Sequence, residues 1–265
     1  MDYDMSKFKC ATYNVNSIRS RLHIVIPWLK ENNPDVLCMQ ETKVDNENFP
    51  VSAFQDIDYH VIFSGSKGGR NGVAMALPRE PIEVNVGFPD KPWEKDRVLI
   101  AKINGVIVIN TYVPQGYSLD DDRYQYKLKF FHRLKEYIKN TYAQEKNILW
   151  CGDMNVAPLD IDVTNPEKKK KHVCFHTEVK NAFDNVASLG FVDLFRKYYP
   201  NQPGKFTFFD YRVKDAVKRN IGWRIDHIMV SQSLAGRSQA CYIDIKPRLA
   251  HKPSDHTVLV GEIEN

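Results

Sequence analysis

Ile148-Leu149-Trp150-Cys151 runs without a break into Gly152-Asp153-Met154-Asn155. The first four residues are apolar and are followed by a turn glycine, so they read as a short strand. The polar residues beyond the glycine carry more information. Asp153 and Asn155 are two apart, and on an extended chain such residues share a face. Working outward, the same kind of run recurs. Phe8–Val15, Val36–Gln40, His60–Ser64, Gly72–Leu77, Val98–Ile103, Val106–Val113, Asn147–Gly152, Phe206–Asp210, Arg224–Ser231, Cys241–Ile245 and Thr257–Ile263 all read as strands between turn residues. Three helical patterns interrupt them. Ile18–Asn32 places Ile18, Leu22, Val25, Ile26 and Leu29 on one stripe. Asp121–Tyr142 spaces Tyr126, Phe130, Leu134, Tyr137, Ile138 and Tyr142 by three or four, apart from one adjacent pair. Glu178–Leu189 ends at Gly190, which reads as a C-cap. Extended sheets with helices on the outside predict a layered α/β sandwich.

A chain of 265 residues has room for a large core without staples. No repeat, low-complexity tract or Ser/Gly/Pro-rich linker divides it, so residues 1–265 are expected to form a single domain. The five cysteines form no C-x-x-C pair, and Cys10, Cys38 and Cys151 sit in apolar runs. That pattern predicts free thiols in a reduced interior and no zinc site. The start, through Cys10, has no apolar signal-peptide core, and no apolar stretch approaches the roughly 20 residues that span a bilayer. The expected location is the cytoplasm, at the nucleoid, with no membrane partner. A net charge of +4 and a pI near 8.6 suit a polyanionic partner and equally suit an ordinary soluble protein. Lys168–Lys171 is a basic run that reads as a solvated loop before it reads as a phosphate contact.

The chemistry sits where strands end. Thr12-Tyr13-Asn14-Val15-Asn16 closes the first run and Gln40-Glu41-Thr42-Lys43 the second. Asn110 to Gly116 closes another, Arg224-Ile225-Asp226-His227 opens one, and Ser254-Asp255-His256 precedes the last. Each alone is ordinary, since Asp and Asn at strand ends are turn formers. Jointly, Glu41, Asp153, Asp226 and Asp255 with a histidine would make a site for a hard cation if they met at one sheet edge.

These blocks resemble exonuclease III and the related apurinic/apyrimidinic endonucleases of the deoxyribonuclease I-like phosphoesterase superfamily. The resemblance runs from Lys7 to Ile263 through TYNVNSIRSR, PDVLCMQETKV, GVAMA, INTYVPQG, GDMNVAPLDIDV, GFVDLFR, FTFFDYR, GWRIDHIMVS and KPSDH, in family order. It implies a four-layer sandwich in which two packed mixed β-sheets are flanked by helices. It also implies hydrolysis of duplex DNA 5′ to abasic sites. Further activities implied are 3′-phosphatase, 3′-phosphodiesterase and 3′→5′ exonuclease at blocked 3′ ends, and nicking at deoxyuridine as in some archaeal relatives. Mg²⁺ is the implied cofactor, with Mn²⁺ as a substitute, and a monomer the implied unit. Residues 1–6 precede the resemblance and read as a short extension, with Met5 as an alternative start.

Residue by residue, the resemblance makes Glu41 the main metal carboxylate, with Asn14 and Asp255 as helpers, direct or through water. Asp153 matches the aspartate acting on the attacking water and Asn155 its hydrogen-bonding neighbour. His256 matches the histidine on the scissile phosphate, Asp226 the carboxylate that holds it, and Tyr112 the tyrosine near the leaving group. Lys43, Gln115 and Arg212 fall on the DNA side. Phe208, Trp223 and Ile225 match the walls of the pocket that takes the flipped abasic sugar; without the resemblance, core packing is the simpler reading of both aromatics. Bacterial exonuclease III often has tryptophan where this chain has Phe208, which points away from strong exonuclease activity. The loop Tyr211–Arg224 carries Arg212, Lys214, Lys218, Arg219 and Arg224 and is expected to meet phosphates or enter a groove. The family pattern leaves open whether one or two metals act and whether Asp153 is the base. Two other readings remain: a cousin acting on lipid or inositol phosphates, and a catalytically silent DNA-binding protein.

Overall fold

The computed structural model describes residues 7–89 and 94–264, so the expected extension at residues 1–6 lies outside the described residues. The strands are β1 (Lys7–Asn14), β2 (Val36–Gln40), β3 (His60–Ser64), β4 (Val73–Leu77), β5 (Glu83–Val86), β6 (Val98–Ile103), β7 (Val106–Tyr112), β8 (Ile148–Asp153), β9 (Phe191–Asp193), β10 (Asp226–Ser231), β11 (Ser238–Asp244) and β12 (Val258–Glu264). The helices are α1 (Ile18–Asn32), α2 (Val51–Gln55), α3 (Asp122–Thr141), α4 (Thr177–Ala187), α5 (Leu194–Tyr198), α6 (Gln232–Arg237) and α7 (Lys246–Leu249).

The strands form two six-stranded sheets, ordered β11-β12-β1-β2-β4-β3 and β5-β6-β7-β8-β10-β9. Both are mixed. In each, one parallel pair, β1/β2 and β7/β8, is joined by a long helix, and the other pairings are antiparallel. The alternation of side chains along a strand explains the layering. On β8, Leu149 and Cys151 face the other sheet, packing with Cys10 and Cys38 across the interface and with Val108 and Ile228 of their own sheet. Ile148 and Trp150 face outward, under α3 and α4, against Phe131, Leu134 and Phe183. On the other side Val25, Trp28 and Leu29 of α1 cover Met39 and Val260. The result is the expected sequence of helix, sheet, sheet and helix. Truncating a large buried anchor such as Trp150 would destabilise it by about 3–5 kcal/mol.

Several details differ from expectation. Phe206–Asp210 is not a strand. It makes isolated bridges, Phe208 to Trp223 and Phe208 to His256, with no neighbour long enough to continue a ladder. Its backbone stitches two connections together: Phe208 and Trp223 exchange N–H and C=O, and Phe209 N donates to Asp255 O at 2.7 Å. The fourth helix ends on Ser188 rather than at Gly190, whose φ of 101° serves the turn beyond it. The strands β5 and β9 and the short helices α2, α5, α6 and α7 carry too few residues to show a period in sequence. All five cysteines are buried and free. Among the described residues, no helix is long and apolar enough to cross a membrane.

Candidate active site

The sheet registers bring the polar strand ends together. Asn14 lies opposite Gln40 in the β1/β2 pair, so Glu41 follows at the same edge. Tyr112 lies opposite Asp153, and Asp153 opposite Asp226, across β7, β8 and β10. Because β10 and β12 run antiparallel to their neighbours, their beginnings reach the edge where β1, β2, β7 and β8 end. Gly152 is obligatory in this packing: its φ is 135°, and a Cβ there would fall 2.0 Å from the Thr111 carbonyl oxygen. Glu41, Lys43 and Asn155 all have φ near 50°, a left-handed conformation costing roughly 1–2 kcal/mol each in non-glycine residues. Backbone bonds hold two of these bends, from Ser17 N to Glu41 O at 2.8 Å and from Lys43 N to Asn71 O at 2.8 Å.

The side chains form one network. His256 Nδ1 bonds Asp226 Oδ2 at 2.8 Å, and His256 Nε2 lies 3.8 Å from Asp153 Oδ2. Asn14 Nδ2 donates to both Glu41 Oε1 and Asp153 Oδ2 at 2.9 Å. Its oxygen accepts from Asn16 N at 3.0 Å, so Asn14 meets the carboxylates as a donor. Asp153 Oδ1 accepts from Asn155 N at 3.0 Å, and Asn155 Nδ2 donates to Val113 O at 3.0 Å. Lys43 Nζ is 2.8 Å from Glu41 Oε2 and also donates to Asn16 Oδ1, while Asn16 Nδ2 donates to Asp255 Oδ1 at 2.9 Å.

Electrostatics follow from this crowding. Burial pushes the Asp153 carboxyl up, His256 pulls it down, and Asp226 and Glu41 push it up again, leaving it raised to about 7. Burial works against a protonated His256, but Asp226 and Asp153 outweigh it and raise the imidazole to about 10. Burial also acts to raise Glu41, yet Lys43 and the Asn14 amide hold it below the ordinary carboxylate range. Burial and then the Glu41 and Asp153 charges push the Tyr112 phenol well up, so it stays a proton donor. Arg97 backs Tyr112, its guanidinium 4.7 Å from the ring centre and bonded to the Tyr112 carbonyl at 3.1 Å.

The donor set fits a hard cation. Ligand atoms of Asp153, Asp226 and His256 all lie within 4.8 Å of one another, but an imidazolium offers no lone pair, so the carboxylate oxygens are the candidate ligands. Asp226 Oδ1 is buried without a hydrogen-bond partner. Glu41 is tied to this group through Asn14, and Asp255 through Asn16 and the main chain of His256.

The network opens into a cleft of about 420 Å³. Of the residues singled out in sequence, Glu41, Tyr112, Gln115, Asp153, Asn155, Phe208, Arg212, Trp223, Ile225, Asp255 and His256 line it. Asn14 and Asp226 stand behind it, fully buried, and Lys43 reaches it only through Glu41. The Phe208 ring lies 4.9 Å from that of His256. Arg212 is 89% exposed and forked onto Asp210. Lys214, Lys218 and Arg219 are exposed.

Arg224 corrects one expectation. It is fully buried, with Nε 2.6 Å from Asp162 Oδ1, Nη2 2.8 Å from Asp193 Oδ2 and Nη1 2.9 Å from His227 Nδ1. It cannot meet a phosphate, because its side chain points into the protein while those of its loop neighbours point out. Sequence reasoning missed Lys169, His172, Cys174 and Asp210, which also line the cleft. Lys169 was masked by its basic run: Lys168, Lys170 and Lys171 are exposed, as a solvated loop predicts. Only proximity in the fold reveals His172, whose ring lies 4.6 Å from that of Trp223.

Comparison with known proteins agrees with this geometry. Residues 11–256 match the model of the Endonuclease/Exonuclease/phosphatase family. Exodeoxyribonuclease III of Haemophilus influenzae is 35% identical over 268 residues, covering 97% of this chain and 100% of that protein. An AP endonuclease structure from Archaeoglobus fulgidus superposes with a TM-score of 0.93 at 57% identity, over 96% of this chain and 98% of that one. A 3′ phosphatase from Neisseria, bound to product DNA hairpin, gives a TM-score of 0.92 at 36% identity, over 97% and 99%. The chain belongs to the Endonuclease/Exonuclease/phosphatase family.

Proposed function

We propose that this chain is a DNA repair endonuclease that hydrolyses the phosphodiester 5′ to an abasic site, leaving a 3′-hydroxyl and a 5′-deoxyribose phosphate. The observation that carries the reading is the Asp153–His256–Asp226 arrangement, with its 3.8 and 2.8 Å spacings, at the floor of a cleft walled by Phe208, Trp223 and Ile225.

The residues divide the work. His256, kept protonated by Asp226, donates from Nε2 to an oxygen of the scissile phosphate and offsets the charge that builds there. Asp153, held by Asn155 N–H and Asn14, accepts the proton of the attacking water. Tyr112, with its phenol kept protonated, donates near the leaving 3′-oxygen. Glu41 is the principal carboxylate for Mg²⁺, which Mn²⁺ can replace, with Asp153, Asp226 and Asp255 adding negative charge. The cation, when bound, supplies Lewis-acid stabilisation of the phosphate and leaving group. A flipped abasic sugar fits against Phe208, Trp223 and Ile225, whereas a nucleotide with its base must also give up stacking. Gln115, Lys43 and Arg212 serve the DNA backbone. A monomer is the proposed working unit, since one chain supplies every group named. The likeness to a 3′ phosphatase supports a second activity at blocked 3′ ends.

The test is a labelled duplex carrying one abasic analogue, with and without Mg²⁺. A single cut 5′ to the analogue, abolished by chelation, is expected. Turnover of inositol or lipid phosphates instead, or DNA binding without cutting, would overturn the reading.

A further inference from the structure

Beneath the cleft, α3 sends a lysine into the interior. Lys127 is fully buried, and its Nζ donates to the main-chain carbonyls of Gln115 at 3.0 Å, Asn155 at 2.7 Å and Val173 at 2.8 Å. An ammonium has three N–H donors; these carbonyls engage them at close range, with Cys174 Sγ a longer contact at 3.9 Å. The three acceptors belong to three separate segments: the connection after β7, the connection after β8, and the turn before α4. Each segment contributes to the cleft, through Gln115, Asn155, and the His172 and Cys174 that flank Val173. The first segment is packed onto the lysine stem, since a Cβ added to Gly116 would sit 3.4 Å from Lys127 Cδ.

Burying an ammonium carries a penalty of about several kcal/mol, met here by charge-assisted bonds to neutral carbonyls. An apolar side chain would fill the same place on α3, among Tyr124, Phe130 and Phe131, without that penalty. The contribution of the ammonium therefore lies in what it holds. Its shortest bond is to Asn155, a non-glycine residue in a left-handed conformation with φ 50°. The N–H of that same residue orients the Asp153 carboxylate, and its side chain is tied to Val113 O.

We propose that Lys127 is a positioning residue for the hydrolysis: it clamps three walls of the cleft from below and, through the Asn155 backbone, sets the Asp153 carboxylate. This rests on the reading of Asp153 as the group that acts on water.

The experiment compares wild type with Lys127→Met in single-turnover cleavage, with the active fraction titrated and DNA affinity measured separately in chelator. Lys127→Met is expected to slow cleavage about 10- to 100-fold, the scale of a small misplacement of a reacting group. Active fraction and DNA affinity should stay within about twofold. Combined with Asp153→Asn, the loss should be no larger than that of the slower single variant, because Lys127 acts through that carboxylate. A wild-type rate, a loss explained wholly by inactive protein, or multiplicative losses in the double variant would overturn the proposal. If Lys127→Met does not fold, Lys127→Arg decides: its planar fork retains the charge but cannot meet three converging carbonyls, so slow cleavage by folded protein supports the proposal and a wild-type rate refutes it. Each rate is taken on a phosphodiester that the wild type cleaves. A wild type inert on abasic duplex therefore counts against the substrate reading, and Lys127 is still judged.

Discussion

Two buried ionic groups lie back to back on β10, and they are built to opposite rules. Asp226 and His227 are neighbours there and point to opposite sides of the sheet. On the His227 side, Asp162 and Asp193 meet Arg196 and Arg224, two charges of each sign, all within hydrogen-bonding reach. The imidazole of His227 accepts from Arg224 on Nδ1 and donates from Nε2 to Val156 O at 2.8 Å, which makes it the neutral tautomer. On the Asp226 side, Glu41, Asp153, Asp226 and Asp255 lie against Lys43 and His256, with the buried Lys127 near Asp153, so carboxyl groups outnumber the cationic groups around them. Buried charge is tolerated when it is paired. The balanced group is therefore finished as it stands, and it pins the connection from Val156 to Asp162. The unbalanced group keeps an excess of acidic groups, which is what the proposed cation site calls for.

The comparison can be broken most forcefully on the balanced side. Arg224→Met strands Asp162 and Asp193 without their shared partner, and removing one member of a buried pair destabilises by about 3–5 kcal/mol. Chemical denaturation should show a loss of that size, and a loss below about 1 kcal/mol would mean that the cluster relaxes to water instead. The pH dependence has a definite sign. Although burial alone would raise both carboxyls, Arg224 leads the charges that hold Asp162 and Asp193 below the ordinary range. Stability from a depressed carboxyl is fully present above its unfolded pKa of about 3.9 and fades as pH falls toward the folded value. Wild type should lose stability steeply below about pH 4, and Arg224→Met should flatten that limb.

The unbalanced side should respond in rate instead of stability. Asp153→Asn and His256→Asn are each expected to slow cleavage by at least about 10²-fold, or about 2.7 kcal/mol of barrier. Asp153→Asn should fold, since it relieves a crowded negative charge, whereas His256→Asn leaves Asp226 without its buried partner, so a melting curve accompanies its rate. The double variant should fall far short of the product of the two losses, because the groups serve one step. Fully multiplicative losses, seen in single-turnover rates, would separate them into independent steps.

The same division governs how much was legible in the sequence. Long regular pieces were readable because their periods repeat: α1, β2 and β3 fall where the pattern puts them, and α3 differs by one residue at each end. The candidate site residues were readable because polar residues closing apolar strands break the pattern, and the resemblance suggested a role for each. Nothing comparable marked the balanced group. Asp162, Asp193 and Arg196 look like ordinary charges near turns, and Arg224 looked like part of a basic loop. Their burial depends on three segments far apart in the chain folding onto one another, and no local period encodes that. Phe206–Asp210 failed as a strand for the same reason: its alternation is strand-like, but the fold supplies only single bridging partners.

A third test sharpens the charge argument with a smaller, recoverable effect. Glu41→Gln removes one of the four carboxylates and keeps the amide-compatible shape. It should fold, lose most nicking at low millimolar Mg²⁺ and regain part of it as Mg²⁺ is raised, since fewer charges bind the cation more weakly. A titration that overlays the wild type would remove Glu41 from the cation site and leave the excess charge to Asp153, Asp226 and Asp255.

The smallest expected effect lies in selectivity, at Trp223. Its ring is half-buried and serves two environments. On one side it packs against His172 at 4.6 Å and Phe175 at 6.5 Å, with Lys169 Nζ 5.4 Å from its centre; on the other it lines the cleft with Phe208 and Ile225. The ionic group is untouched when this ring is cut back, so the chemistry should persist. What changes is the room above it. An intact nucleotide entering the cleft gives up roughly a few kcal/mol of stacking and pairing and then meets the wall, whereas an abasic nucleotide gives up less and fits. Trp223→Ala enlarges the space and removes the clash without restoring the stacking. Discrimination between abasic and undamaged duplex should therefore narrow while cutting of the abasic duplex remains measurable. A melting curve must accompany the rates, because the packing against His172 and Phe175 is lost as well. If a well-folded Trp223→Ala protein discriminates as the wild type does, the ring belongs to the segment it packs on, and selectivity must come from Phe208, Ile225 or the cost of unstacking alone.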